Sequence, residues 1–251
     1  MSPSESRELV STGTHLLGLA AAFPITWLLV RAAMRTPATD PAAQSFKSGK
    51  VASLAIFGFG MVACYAGSAA FHGIPADESG RDLLRRLDLV GIFLLIAGTF
   101  TPAAWSLMRP APRRVAMVVV WGVAITCAGA VALGRAFPTW LATSIYLGLG
   151  WGMALCYADI RRSYDRRTLR LLPIGGALYS VGAIVNLTRS PGFFPGVGSH
   201  EVFHLFVLAG TAAHVAFLFQ VVVPAQPPSL REAGLSAESR TRSERSATIE
   251  V

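Results

Sequence analysis

Seven apolar runs, each about as long as a bilayer is thick, leave this chain little choice of architecture. A hydrocarbon core of roughly 30 Å is crossed by about 20 helical residues. The runs are approximately His15–Met34, Val51–His72, Leu87–Met108, Val115–Leu133, Thr139–Tyr157, Leu171–Leu187 and His200–Val223. In lipid, only a helix of this length satisfies all of its own backbone hydrogen bonds. The connectors carry helix breakers: Pro37 and Pro41, Pro75, Pro110 and Pro112, Pro138, then Pro191 and Pro195. Charged residues make up 14% of the chain, where a soluble domain carries about a quarter. The expectation is an all-α membrane protein, a seven-transmembrane-helix bundle forming one domain over 15–223. A short N-terminal tail, 1–14, precedes it. A C-terminal tail, 224–251, follows; it is rich in Ser, Arg and Glu and too polar to order itself.

The formal charge of +8 does not point to nucleic acid, because the basic residues lie in the connectors and the tail, where they set topology and meet anionic headgroups. One side of the membrane collects Arg31, Arg35, Lys47, Lys50, Arg109, Arg113, Arg114, Arg161, Arg162, Arg166, Arg167, Arg170, Arg231, Arg240, Arg242 and Arg245. The other has Arg7, Arg81, Arg85, Arg86, Arg135 and Arg189, so the ratio is 16 to 6. The positive-inside rule then places the N-terminus outside and the C-terminus in the cytoplasm. Met1–Thr14 has no basic n-region, so the first run reads as a retained span, not a cleaved signal. Cys64, Cys127 and Cys156 fall inside apolar runs with no C-x-x-C pair, and read as small hydrophobes.

Polar and ionisable residues at membrane depth are costly and mark function by default. His200 and His204 are four apart and share a helix face, as do Ser68 and His72 at the end of the second span. A short connector returns the chain into the third span, so Asp88 re-enters at the depth of His72. The seventh span begins on the same side. Topology therefore brings Ser68, His72, Asp88, His200 and His204 to one depth. Three imidazoles beside a carboxylate and a hydroxyl are the equipment of a Zn2+ site with one open position, where bound water reaches a pKa of about 7. Asp88 is suited to act as general base, to orient a histidine, or to cap the third span. Ser68 is suited to donate to a substrate carbonyl or to the bound water. Ten residues separate His214 from His204, about 15 Å of helix, too far to share one ion. His15, at the start of span one, and His214 both read as structural or cavity-lining. Glu201, about 100° around the helix from His200, reads as facing headgroups.

The motifs Ser68-Ala-Ala-Phe-His72, Leu84-Arg-Arg-Leu-Asp88, Gly91-Ile-Phe-Leu-Leu-Ile-Ala-Gly-Thr-Phe-Thr-Pro102 and Ser199-His-Glu-Val-Phe-His204, with Thr14-His15 and Gly18 in span one, resemble haemolysin III, the bacterial branch of the progestin and adipoQ receptor family. The resemblance runs from about Glu8 to Val223. It implies a seven-helix fold in a bacterial inner membrane, with zinc held by His72, His200 and His204, and with Ser68 and Asp88 in the family's serine and aspartate positions. The wider superfamily includes alkaline ceramidases, which implies hydrolysis of a lipid amide or ester. Leu89 departs from the family, which usually has His after the motif aspartate; that position is not a ligand. The charge count also departs from the eukaryotic receptors, whose zinc site lies near the cytoplasm.

Three functions follow as expectations. The first is a zinc-dependent hydrolase acting on membrane lipids. The second is a regulator of membrane homeostasis in which zinc mainly ties span seven to span two. The third, a cytolysin, rests on the family name alone, since no amphipathic β-hairpin pattern or soluble domain accompanies the spans. A metal transporter would need a chain of carboxylates across the bilayer, which the sequence lacks.

Overall fold

The computed structural model describes residues 3–135, 137–189 and 197–227. Its helices in chain order are α1 (Pro3–Met34), α2 (Pro41–Gly73), α3 (Glu78–Leu107), α4 (Pro110–Ala132), α5 (Thr139–Ile160), α6 (Arg166–Leu169), α7 (Leu171–Thr188) and α8 (Ser199–Phe217), the last continuing into a π-helical turn, Leu218–Val222. Seven of the described helices are long and apolar enough to cross a membrane, with α6 a single turn leading into α7. The seven-helix bundle is thus the fold. Large apolar side chains such as Leu17, Phe23, Trp27, Val118, Val119 and Ile125 face outward, as a lipid-facing surface requires.

Helix starts follow local chemistry. Asp40 accepts from the Ala43 amide at 2.8 Å, just ahead of Pro41, which suits a first helical position. Asp77 accepts from the Gly80 amide at 2.9 Å and Asp165 from the Thr168 amide at 2.7 Å. These amide bonds hold both carboxyls below the usual carboxylate range. The helices α1, α2 and α3 have 32, 33 and 30 residues, about 45–50 Å each at 1.5 Å per residue, so they extend well past the apolar runs.

Two readings change as a result. Residues 3–14, expected as a tail, continue α1 without a break, because no helix breaker separates them from the span and they pack on α2 and α8. Lys50, expected in a connector, lies within α2 and is buried. Its Nζ donates to the Val223 and Ala225 carbonyls at 2.8 and 2.6 Å, which closes the end of the last helix, where backbone carbonyls lack intrahelical partners. The connector with Pro191 and Pro195, and tail residues 228–251, lie outside the described residues.

The spans close into a ring: α1 packs on α2, α2 on α3, α3 on α5, α5 on α7, α7 on α8, and α8 back on α1, with α4 against α3 and α5. The seam between α2 and α3 is the tightest. A Cβ on Gly91 would stand 2.6 Å from the Cys64 Cα, and one on Gly67 would stand 2.8 Å from the Leu87 carbonyl oxygen. Small residues at membrane helix interfaces let backbones approach in this way. The seam matters for function because Gly67 precedes Ser68 and Gly91 follows Asp88 by one turn, so the close approach sets those two side chains next to each other.

Candidate metal centre

Helices α2, α3 and α8 meet at one end of the ring. The last two turns of α2 bring Ser68 and His72, α3 brings Asp88 from about three turns in, and the first turns of α8 bring His200 and His204. The ligand atoms of His72, His200 and His204 all lie within 4.8 Å of one another, a grouping that could hold a metal ion. The closest pair is His72 Nε2 and His200 Nε2, 3.1 Å apart.

Partners on the other ring nitrogens define the tautomers. His72 Nδ1 lies 2.6 Å from Glu8 Oε2, and a carboxylate only accepts, so Nδ1 carries the proton and donates. His200 Nδ1 donates likewise to Asn186 Oδ1 at 3.2 Å. In the neutral imidazoles both Nε2 atoms then present lone pairs toward each other at 3.1 Å. Two lone pairs at that distance repel unless a cation sits with them. Ligating histidines in metal proteins commonly donate their second nitrogen to a carboxylate or carbonyl, and this pair does so. His204 is buried, with Nδ1 lacking a partner.

Asp88 is half-buried, with His72 and Ser68 as its electrostatic neighbours. It stands outside the three-histidine group, next to it. It does not cap its helix, contrary to one of its expected roles: α3 begins at Glu78, and Asp77 is the cap. The Ser68 hydroxyl is buried beside the Asp88 carboxyl.

A cavity of about 270 Å³ runs inward from the histidines. Asp88, Ser68, His15, His200 and His204 line it at one end. Ile92, Ile96, Phe100, Tyr146, Leu149 and Phe203 make its walls apolar, and His214 lies along it. The span from Asp88 to Thr99 alone is about 16 Å of helix. Deeper in, Thr211 Oγ accepts from Tyr65 at 2.7 Å and from Tyr179 at 2.8 Å and donates to the Val207 carbonyl, so this internal polar cluster is satisfied.

Four further side chains surround the site, three of which a one-dimensional reading missed or misjudged. Glu8 and Asn186 hold two of the histidines, as described. His15 stacks on His204 with ring centroids 3.8 Å apart, and neither of its ring nitrogens has a partner; it lines the cavity, one of the two roles expected of it. Glu201 does not face headgroups. It is buried, accepting from the Gly198 amide at 2.6 Å and from Ser11 Oγ at 3.2 Å. At the third position of α8 its carboxylate reaches back to the helix start, the geometry of a capping box. Glu8, Ser11 and His15 stand three and seven residues apart, one face of a helix, and that periodicity was the available signal.

The sequence is also similar to known proteins. Residues 4–215 match the profile of a family described as haemolysin-III related. Similar proteins include the Hemolysin-3 homolog of Bacillus subtilis (strain 168), 30% identical over 210 residues that make up 82% of this chain and 90% of that protein. Hemolysin-3 of Bacillus cereus is 27% identical over 220 residues, 86% of this chain and 92% of that protein. More distant is the adiponectin receptor protein of Drosophila melanogaster, 27% identical over 223 residues, 80% of this chain and 47% of that protein.

Proposed function

The chain belongs to the haemolysin-III related family of multi-pass membrane proteins, and on that premise we propose that it binds zinc through His72, His200 and His204 and hydrolyses an amide or ester bond in a membrane lipid. The observation that carries this reading is the facing pair of Nε2 atoms, 3.1 Å apart, at the head of a largely apolar cavity that also holds a carboxylate. Zinc–imidazole bonds of about 2.0–2.1 Å in tetrahedral geometry set ligand nitrogens roughly 3.4 Å apart, so the donor set fits the ion. Three histidines leave one of its four positions open.

Bound there, zinc supplies a Lewis acid that polarises a carbonyl and acidifies water to a pKa of about 7. The rest of the chemistry falls to the chain. Apolar walls formed by Ile92, Ile96, Phe100 and Phe203 hold an acyl chain along the bundle axis, with its carbonyl carbon at the histidine end. Ser68, whose side chain lines the cavity beside Asp88, donates to the carbonyl oxygen. Asp88 takes a proton from the attacking water and returns it to the leaving amine or alcohol as the acyl bond breaks, so that a fatty acid and the long-chain amine or lysolipid are the products.

Purified protein in liposomes should release fatty acid from at least one class in a panel of ceramide-like amides and phospholipids, and stripping the zinc should stop it. Full zinc occupancy with no release from any class would favour the second reading, a regulator of membrane homeostasis. Support for that reading is that the three histidines join α2 to α8, so zinc would tie two spans of the ring together.

The site is proposed to face the outer side of a bacterial inner membrane, with the N-terminus outside and the C-terminus cytoplasmic. Support comes from the 16-to-6 distribution of Lys and Arg. A reporter fused after Val251 should be active only as a cytoplasmic fusion; activity only from a reporter that works outside the cell would reverse the orientation.

A further inference from the structure

We propose that Glu8 is a positioning residue of the metal centre, the carboxylate that fixes His72 with its proton on Nδ1 and its Nε2 turned to the ion. The proposal rests on the zinc reading above and assigns a role to a residue outside the histidine motifs, on a segment whose sequence reads as a tail.

Three observations bear on it. Glu8 Oε2 and His72 Nδ1 are 2.6 Å apart, a short charge-assisted bond of the strong kind. The His72 side chain is only 7% exposed while that of Glu8 is 42% exposed, so the carboxylate reaches in from the rim to a ring that is otherwise enclosed. Glu8 is itself held: its Oε1 lies 3.6 Å from Arg81 Nη2, and the Arg81 guanidinium sits over the Phe71 ring at 5.0 Å, next in sequence to His72. The imidazole thus has a fixed anion on one side and the other histidines on the other.

The segment that carries Glu8 is fixed as well. Along one face of α1, Glu8 meets His72, Ser11 meets Glu201, His15 stacks on His204, and Gly18 admits Leu208 and Tyr65, which a Cβ would meet at 2.8 and 3.1 Å. Spacings of three, four and three residues keep these positions on one stripe. A carboxylate at a tail's end would sample many positions; on this helix it has one. An ordinary surface ion pair would tie α1 to α2 equally well. The difference is that a pair of that kind leaves metal affinity unchanged, whereas a tautomer-fixing carboxylate raises the basicity of the ligating nitrogen.

The test measures zinc affinity by chelator competition on the full-length purified protein, alongside thermal unfolding of the metal-free form. Glu8→Ala should weaken zinc by roughly 10- to 100-fold, the usual cost of losing such a partner, without lowering the one-to-one stoichiometry. Glu8→Gln should fall between, because its amide oxygen still accepts from Nδ1–H but brings no charge. Ser11→Ala removes a neighbouring contact of the same stripe and should leave zinc affinity unchanged. Wild-type affinity in both Glu8 variants would overturn the proposal and leave the zinc site standing. A loss in Ser11→Ala equal to that in Glu8→Ala would overturn it too, since docking of α1 would then be the cause. A wild-type protein that binds no zinc would overturn the metal reading and this one together. Should Glu8→Ala prove unstable without metal, the Glu8→Gln affinity alone decides.

Discussion

Changing His200 and His204 together to Ala should abolish zinc binding. Losing a residue that merely orients a ligand typically costs 10–100-fold in metal affinity, so each missing ligand should cost more than that. With both gone, one imidazole remains. The two histidines sit one turn apart at the start of α8, their ring centroids 4.5 Å from each other and 5.0 and 5.2 Å from His72. Among the described residues no other His, Cys, Asp or Glu belongs to that group. His204→Ala also removes the ring on which His15 stacks, and His200→Ala leaves Asn186 Oδ1 without its donor; the variants should therefore be compared as folded, detergent-purified protein. Metal analysis should find about one zinc per chain in the wild type and none in the double variant. Full occupancy in the double variant would remove the site.

The second large effect is on rate alone. Asp88→Asn should keep the zinc, the fold and the cavity and yet lose about 10²–10⁴-fold in fatty-acid release, the range that a positioned general base supplies. The two side chains are nearly the same size, and Asp88 is neither a member of the histidine group nor the cap of α3, so the change removes a proton acceptor and little else. Asp77, not Asp88, caps α3, so the substitution leaves the helix start intact. Equal release by wild type and Asp88→Asn would show that another group takes the proton.

How much of this was legible beforehand follows from what a bilayer does to a chain. Depth is encoded: apolar runs and breakers fix where each span begins, so Ser68, His72, Asp88, His200 and His204 could be placed at one level by counting spans. Lateral order is not encoded in hydropathy. Glu8 reaches His72 because α1 packs on α2, and Asn186 reaches His200 because α7 packs on α8, and nothing in an apolar run says which other run it touches. Glu201 was misplaced for a related reason. A helical wheel points it away from His200, but toward α1, whose Ser11 meets it, not toward headgroups. Lys50 was counted for topology, and its burial depends on the carbonyls of Val223 and Ala225, at the far end of the chain.

The closed ring has a consequence for biogenesis. The Ser11–Glu201 bond joins residues 190 positions apart and the His72–His200 contact residues 128 apart, so the centre is made from both ends of the polypeptide. A nascent chain with six spans in the membrane already carries Glu8, Ser11, His15, His72 and Asp88, but no site. Closing so long a loop costs little more than closing a short one, because the entropy grows only with the logarithm of length. It simply has to come last. An ion captured there would bind only the finished bundle and would stabilise it by mass action against every partly inserted form. Occupancy of the proposed centre would then also be a record that synthesis reached the last helix and that the first one was waiting for it.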